Sequence, residues 1–320
     1  MSNVELFIQN GKNRYFPVVE DGISWTTARN GEPGKLEFSV LKDSVLKITE
    51  GNVVSMRLGN SNVFSGFLFS KKFDKGDTVK VTAYDQLRYF KNKEIYQYEN
   101  KTADQVIAMI AKDFNMQVGT LENTGFKIPY RNEYGKTLFD ITQTALDLTL
   151  QNSKKMFVLY DDFGKLTLKN IENMKINLLI DDTAGEDFDY TSSIDGETYN
   201  KIRLIYDNEE TGKKDVYVAQ DSANMNAWGV LQYFEKINET TNGKAKADAL
   251  LSLYNKKTRN LSIKNALGDI RVRAGSSIPV VLDLGDVKVQ NYMLVEKCKH
   301  TFKENYHTMD LTLRGGEFIA

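Results

Sequence analysis

Cysteine is almost missing from this chain. Cys298 stands alone among 320 residues, so no intrachain disulfide can form and the protein is not a disulfide-stapled secreted domain. Histidine is nearly as scarce. With only His300, His307 and one thiol, no zinc site is expected. Four prolines leave no material for a proline-rich linker or tail. Neither sign of charge dominates: Lys+Arg is 42, Asp+Glu is 43, and the formal net charge of −1 lacks the basic excess of a dedicated nucleic-acid binder. No apolar run reaches the length of about 18 residues that a membrane-spanning helix needs. Met1 to Asn10 carries no basic segment followed by an apolar core, so no signal peptide is expected and the chain reads as made and folded in a cytoplasm. Phosphate-binding glycine motifs and the Gly-x-Ser-x-Gly elbow are also absent.

The apolar fraction of 41% and charged fraction of 27% are those of a globular protein. At roughly 150 residues per domain the length suits about two domains. Alternation of period two runs through Val4, Leu6 and Ile8, then Leu36, Phe38 and Val40, then Val54, Met56 and Leu58, then Val79, Val81 and Ala83. Gly31-Glu32-Pro33-Gly34, Gly59-Asn60 and Lys75-Gly76-Asp77 supply turns between these runs. Residues 1–95 therefore read as a first β-barrel domain.

The period then lengthens. Thr102 and Gln105 form a capping-box pattern ahead of an apolar stripe at Ala103, Val106, Ile107, Ile110 and Phe114. A second helix is predicted from Thr137, with Leu138, Ile141, Ala145 and Leu148 on one face, and a hairpin pairs Met156–Tyr160 with Lys165–Leu168. Residues 96–185 read as an α+β middle domain. Residues 186–320 read as a second β-barrel domain with an inserted helix near 244–257, whose stripe is Ala247, Leu250, Leu251 and Tyr254. Glu210 to Lys213 and Gly285-Asp286 are expected turns. The fold class is mainly β with a small α+β insertion: two tube-like β-barrels flank a helix-plus-hairpin domain, and the two β-rich ends read as distant copies of one barrel.

Candidate chemistry is sparse. The acidic stretch Asp181, Asp182, Glu186, Asp187, Asp189 and Asp195 lacks the alternating ligands of an EF-hand loop and reads as a solvated linker. Paired carboxylates can hydrolyse glycosidic bonds, but none here sits in a recognisable motif. His300 and His307 fall in a predicted hairpin. Cys298 is expected on the strand face opposite Met293 and Val295, as a packed, inert thiol. The aromatic run Trp228 to Phe234 reads as core or as a subunit contact, and Trp228, Tyr233 and Phe234 are the candidate interface residues. No catalytic, metal or cofactor-binding residue is expected.

Several blocks resemble the XkdQ/YqbQ-type phage tail hub family. They are Tyr84-Asp85-Gln86-Leu87-Arg88-Tyr89 with Lys101-Thr102-Ala103, the stretch Tyr199 to Asn208, Ala227 to Tyr233, Leu267-Gly268-Asp269-Ile270-Arg271-Val272-Arg273-Ala274-Gly275, and Met309 to Gly316. The resemblance spans nearly the whole chain in one order. It implies similarity to the T-even baseplate hub and to the N-terminal part of type VI secretion spike proteins. It further implies a homotrimer in which each subunit gives two tube-like barrels to a pseudo-sixfold ring. The implied partners are a tail tube or tube-initiator protein, a central spike protein and other baseplate proteins, with no membrane and nucleic acid only by passage through the lumen. The implied place is the tail baseplate of a phage, a defective prophage particle or a phage-tail-like bacteriocin, assembled in the bacterial cytoplasm. With three units filling the chain, any wall-degrading activity is expected on a separate polypeptide. The alternatives are a tail-associated peptidoglycan hydrolase and a carbohydrate- or receptor-binding tail module.

Overall fold

The computed structural model describes residues 4–20, 22–181, 185–208, 212–237, 242–283, 288–304 and 306–315. The chain opens with β1 (Val4–Asn10), β2 (Asn13–Tyr15), β3 (Ile23–Ala28) and β4 (Lys35–Leu41). β5 (Val53–Leu58), β6 (Ser61–Phe73) and β7 (Thr78–Tyr84) follow as a meander. The alternation read from the sequence holds here. Leu6, Ile8, Leu36, Phe38, Val40, Val54, Met56, Val79, Val81 and Ala83 all turn into one core with Trp25 and Phe64.

A short 3-10 helix, Gln86–Lys91, leads to β8 (Lys93–Lys101), α1 (Ala103–Asp113), β9 (Val118–Leu121), β10 (Ile128–Thr137), α2 (Leu138–Ser153), β11 (Phe157–Asp161) and β12 (Leu166–Asn170). Both expected helix starts are present. Thr102 N donates to Gln105 Oε1 at 3.1 Å, and Asp140 N donates to Thr137 Oγ1 at 3.1 Å, each satisfying an otherwise orphaned helix-end group. The predicted stripes of α1 and α2 pack on each other and on β8, β11 and β12. Leu148 and Phe114 sit only at the margin of that core.

The last part begins with β13 (Asp187–Ser193), β14 (Lys201–Asn208), β15 (Lys213–Gln220), α3 (Ser222–Trp228), β16 (Gln232–Lys236) and α4 (Gly243–Tyr254). It ends with β17 (Thr258–Leu267), β18 (Ser277–Asp283), β19 (Lys288–Phe302) and β20 (His307–Arg314). The inserted helix ends at Tyr254, short of 257: Asn255 N caps Leu251 O, and Lys256 N bonds Tyr254 O to turn the chain into β17. β14, β15 and β16 form a separate three-stranded sheet, with α4 covering one face through Ile202, Leu204, Ala247 and Leu250. The expected turn residues Glu210, Thr211, Gly285 and Asp286 lie outside the described residues.

Both β-rich ends belong to one 12-stranded sheet, ordered β13-β17-β20-β19-β3-β4-β7-β6-β5-β1-β2, with β18 beside β19. No barrel closes among the described residues. What does appear is a duplication. The first end runs β5-β6-β7-β4-β3 and the second β18-β19-β20-β17-β13, the same antiparallel order of five strands. The second strand of each set, β6 or β19, is long. It pairs with one neighbour along its first half and shifts register against the other at Leu68/Ser70 or Val295/Lys297. A bulge of this kind bends a strand and raises its twist.

The correspondence reaches single hydrogen bonds. Gly51 N donates to Leu68 O and Leu68 N to Asn52 O, both at 2.8 Å. Gly275 N donates to Val295 O and Val295 N to Ser276 O, also at 2.8 Å. Gly51 and Gly275 have φ of 87° and 91°, a region L side chains avoid. Core positions match as well: Leu36 and Phe38 with Leu261 and Ile263, and Val79, Val81 and Ala83 with Met309, Leu311 and Leu313.

Candidate functional site

The two repeats are joined by a seam. β3 pairs antiparallel with the second half of β19, from Ile23↔Phe302 to Ala28↔Lys297. Arg29 N then donates to the carbonyl of the bulge residue Glu296 at 2.9 Å, and Arg29 Nε meets Glu296 Oε2 at 2.8 Å. Trp25 stacks on its cross-strand partner His300, ring centroids 5.0 Å apart.

Cys298 and His300 lie fully buried in this seam. The sequence places Cys298 opposite Met293 and Val295, but the bulge between Val295 and Lys297 shifts the alternation by one residue. Cys298 therefore joins Met293 and Val295 in the same core. Its Sγ sits 3.1 Å from His300 Nε2, the spacing of a thiol nucleophile and its base. Burial works against that chemistry. It pushes the thiol pKa up and holds His300 down at about 3, so a thiolate–imidazolium pair is disfavoured. His300 Nε2 lies 2.8 Å from Val272 O, which fixes the proton there, and His307 Nε2 then donates to His300 Nδ1 across 2.8 Å.

This arrangement makes stability depend on acid. The unfolded imidazole takes a proton near pH 6.5, the folded one only near 3, so the stabilisation is whole above 6.5 and drains as pH falls toward 3. The loss over that window is on the order of 4 kcal/mol. In urea unfolding between pH 7 and 4, the difference in stability between the parent and His300→Gln should change with a one-proton slope. An unchanged slope in the variant would assign the acid sensitivity elsewhere.

The segment Leu267 to Gly275 fastens the seam to the middle of the chain. Ala274 N donates to Thr27 Oγ1 at 3.0 Å, and Val272 enters the second core. Arg273 places its guanidinium 4.0 Å over the Tyr160 ring, and its Nη2 donates to Asp161 O at 2.9 Å. Two buried carboxyls stand nearby. Asp85 accepts from Gly34 N at 2.9 Å and Leu87 N at 3.0 Å, and Asp161 accepts from Gly164 N at 2.6 Å. Burial, then the Asp161 charge, raises the Asp85 pKa well above the usual carboxylate range, and burial also raises that of Asp161. Three parts of the chain thus converge on one cation.

Below the seam a cleft of about 230 Å³ separates α2 from α4. Its polar lining is engaged in ion pairs, Arg29 with Glu296 and Arg314 with Glu197 at 2.9 Å. Burial raises the pKa of Asp147 on its wall.

The candidate interface residues Trp228, Tyr233 and Phe234 do not form one exposed patch on the chain. Trp228 is half-buried at the end of α3. Tyr233 turns inward and stacks against Tyr254 at 5.9 Å and edge-on to Tyr199 at 5.4 Å. Only Phe234 is exposed, at 58%. The acidic stretch is not a linker throughout: Asp187 and Asp189 belong to β13, while Asp182 lies outside the described residues. The seam was missed from sequence. The one signal for it was Leu267 to Gly275, where charged residues and glycine crowd between two strands.

The architecture is that of prophage tail proteins. The 43 kDa tail protein of prophage MuSo2 from Shewanella oneidensis superposes with a TM-score of 0.71 at 14% identity, covering 99% of this chain and 100% of that one. The Escherichia coli c3393 protein, a type VI secretion component similar in structure to the T4 tail proteins gp27 and gp5, matches with a TM-score of 0.60 at 10% identity, over 97% of this chain and 76% of that one. In sequence, protein XkdQ of the phage-like element PBSX of Bacillus subtilis is 27% identical over 96% of both chains. The YQBQ-like family profile matches residues 23–314, and the chain belongs to that family.

Proposed function

We propose that this chain is the structural hub of a contractile tail baseplate, in a phage or a phage-tail-like particle. The observation that carries the reading is the duplicated five-strand topology. A chain holding two equivalent strand sets gives six sets in a trimer, which suits a ring between a sixfold tube and a threefold spike. On this reading residues 1–95 and 186–320 supply the tube-like barrels and 96–185 lie outside the ring. The partners are the tail tube or a tube-initiator protein on one side and the central spike on the other. The role is geometric, not catalytic. The relative XkdQ takes its name from a phage-like element, and the structural neighbours include tail and type VI secretion proteins.

The test is the mass and symmetry of the purified protein, alone and mixed with its neighbouring tail proteins. Mass photometry should give three chains, and averaged electron micrographs a ring with threefold symmetry. A chain that stays monomeric in every mixture, or that clears purified cell wall by itself in a turbidity assay, would overturn the reading.

A further inference from the structure

The duplication leaves a vacancy. In the second repeat the long strand β19 has β18 beside its first half, β20 along its second half, and β3 on that half's other side. In the first repeat β6 has β5 only as far as Phe67 and β7 from Phe67 onward. Among the described residues no strand lies on the far side of Ser70–Phe73. The strand equivalent to β3 is β13, and β13 is the end of the 12-stranded sheet, paired among the described residues only with β17. An open edge and an open slot of matching kind thus sit on one chain. β6 lies seven strands along the sheet path from β13, and the two do not pair within this copy.

We propose that β13 of one copy pairs antiparallel with the Ser70–Phe73 edge of β6 in a second copy, repeating between chains the β3·β19 seam seen within the chain. The register follows from the correspondence of the two repeats. Ala28↔Lys297 becomes Ser193↔Ser70, and Trp25↔His300 becomes Tyr190↔Phe73. Phe73 is 62% exposed in the isolated chain, and the pairing gives it the stacked partner that His300 has in Trp25. The carbonyl of Phe69, equivalent to Glu296, would accept from Ile194 N as Glu296 O accepts from Arg29 N.

Charge agrees. Asp187 and Asp189 are exposed on β13 with no ion-pair partner among the described residues, and Lys72 and Lys75 are exposed at the slot in the same condition. The contact is heterologous, joining different surfaces, so it builds a ring when the rotation closes. It also removes two sheet edges that a lone chain would leave open.

This inference rests on the ring reading above, and the experiment separates the two. Thr191→Cys and Lys72→Cys, combined in one chain, place thiols directly across the proposed register. The native Cys298 is buried and stays silent. Mild oxidation should give a covalent ladder on a denaturing, non-reducing gel from the double variant and none from either single variant. Asp187→Lys with Asp189→Lys should weaken assembly at least tenfold by sedimentation, as should Lys72→Glu with Lys75→Glu. Combining both pairs should restore it, with thermal melting of the unassembled chain unchanged throughout. A parent that assembles while the double variant gives no ladder, and the charge changes shift assembly less than twofold, would overturn the pairing and leave the ring standing. A ladder from Thr191→Cys alone would replace it with a like-to-like contact. A parent that never assembles would end both.

Discussion

Replacing Arg273 by alanine is expected to destabilise the protein by about 3–5 kcal/mol, the range for removing one partner of a buried ionic cluster. The guanidinium lies over Tyr160, bonds Asp161 O, and faces Asp85 and Asp161, both buried. Without it, two enclosed carboxyls lose their compensating cation. Their protonated forms escape that penalty, so the loss should be larger at pH 8 than at pH 4. Arg273→Lys keeps the charge but loses the flat fork that stacks and bonds at once, and should recover only part of the loss. Urea unfolding at both pH values checks this. A loss under about 1 kcal/mol, or one larger in acid, would show that the cluster does not hold the three parts together.

Gly275→Ala is expected to be nearly as damaging, and Gly51→Ala much less so, although the two glycines are equivalent in the repeats. Both have a positive φ, so each substitution carries strain of about 1–2 kcal/mol. A Cβ at Gly51 meets nothing within 4 Å, whereas one at Gly275 falls 2.7 Å from Val158 Cγ1. Overpacking there adds about 1–3 kcal/mol. The middle unit presses on the second repeat at that glycine, whereas the matching position at Gly51 is open. Thermal melting should rank Gly275→Ala below Gly51→Ala. Equal melting temperatures would remove Val158 from the account.

Much of this fold was legible because its signals are local. Leu36, Phe38 and Val40 alternate because the strand alternates, and Thr102 announces α1 because helix ends leave orphaned groups. Cys298 was misplaced because a bulge inserts one residue without marking it in the sequence, and every later residue then changes face. The acidic run misled because charge says solvated, and an edge strand is solvated too. The repeat was only guessed at because pairing constrains polarity and not identity: Trp25 answers to Tyr190, and Leu313 to Ala83. Arg273 stayed hidden as a keystone because its partners Tyr160, Asp161 and Asp85 are distant in sequence.

The β3·β19 seam has a consequence for synthesis. The strand at Ile23–Ala28 emerges early, yet one of its flanks is covered only by Lys297–Phe302. At about 5–20 residues per second, roughly 270 intervening residues keep that flank bare for some tens of seconds on the ribosome. Such a nascent chain invites premature pairing with its polysome neighbours, so chaperone demand and codon tempo upstream of residue 297 should govern how much protein matures.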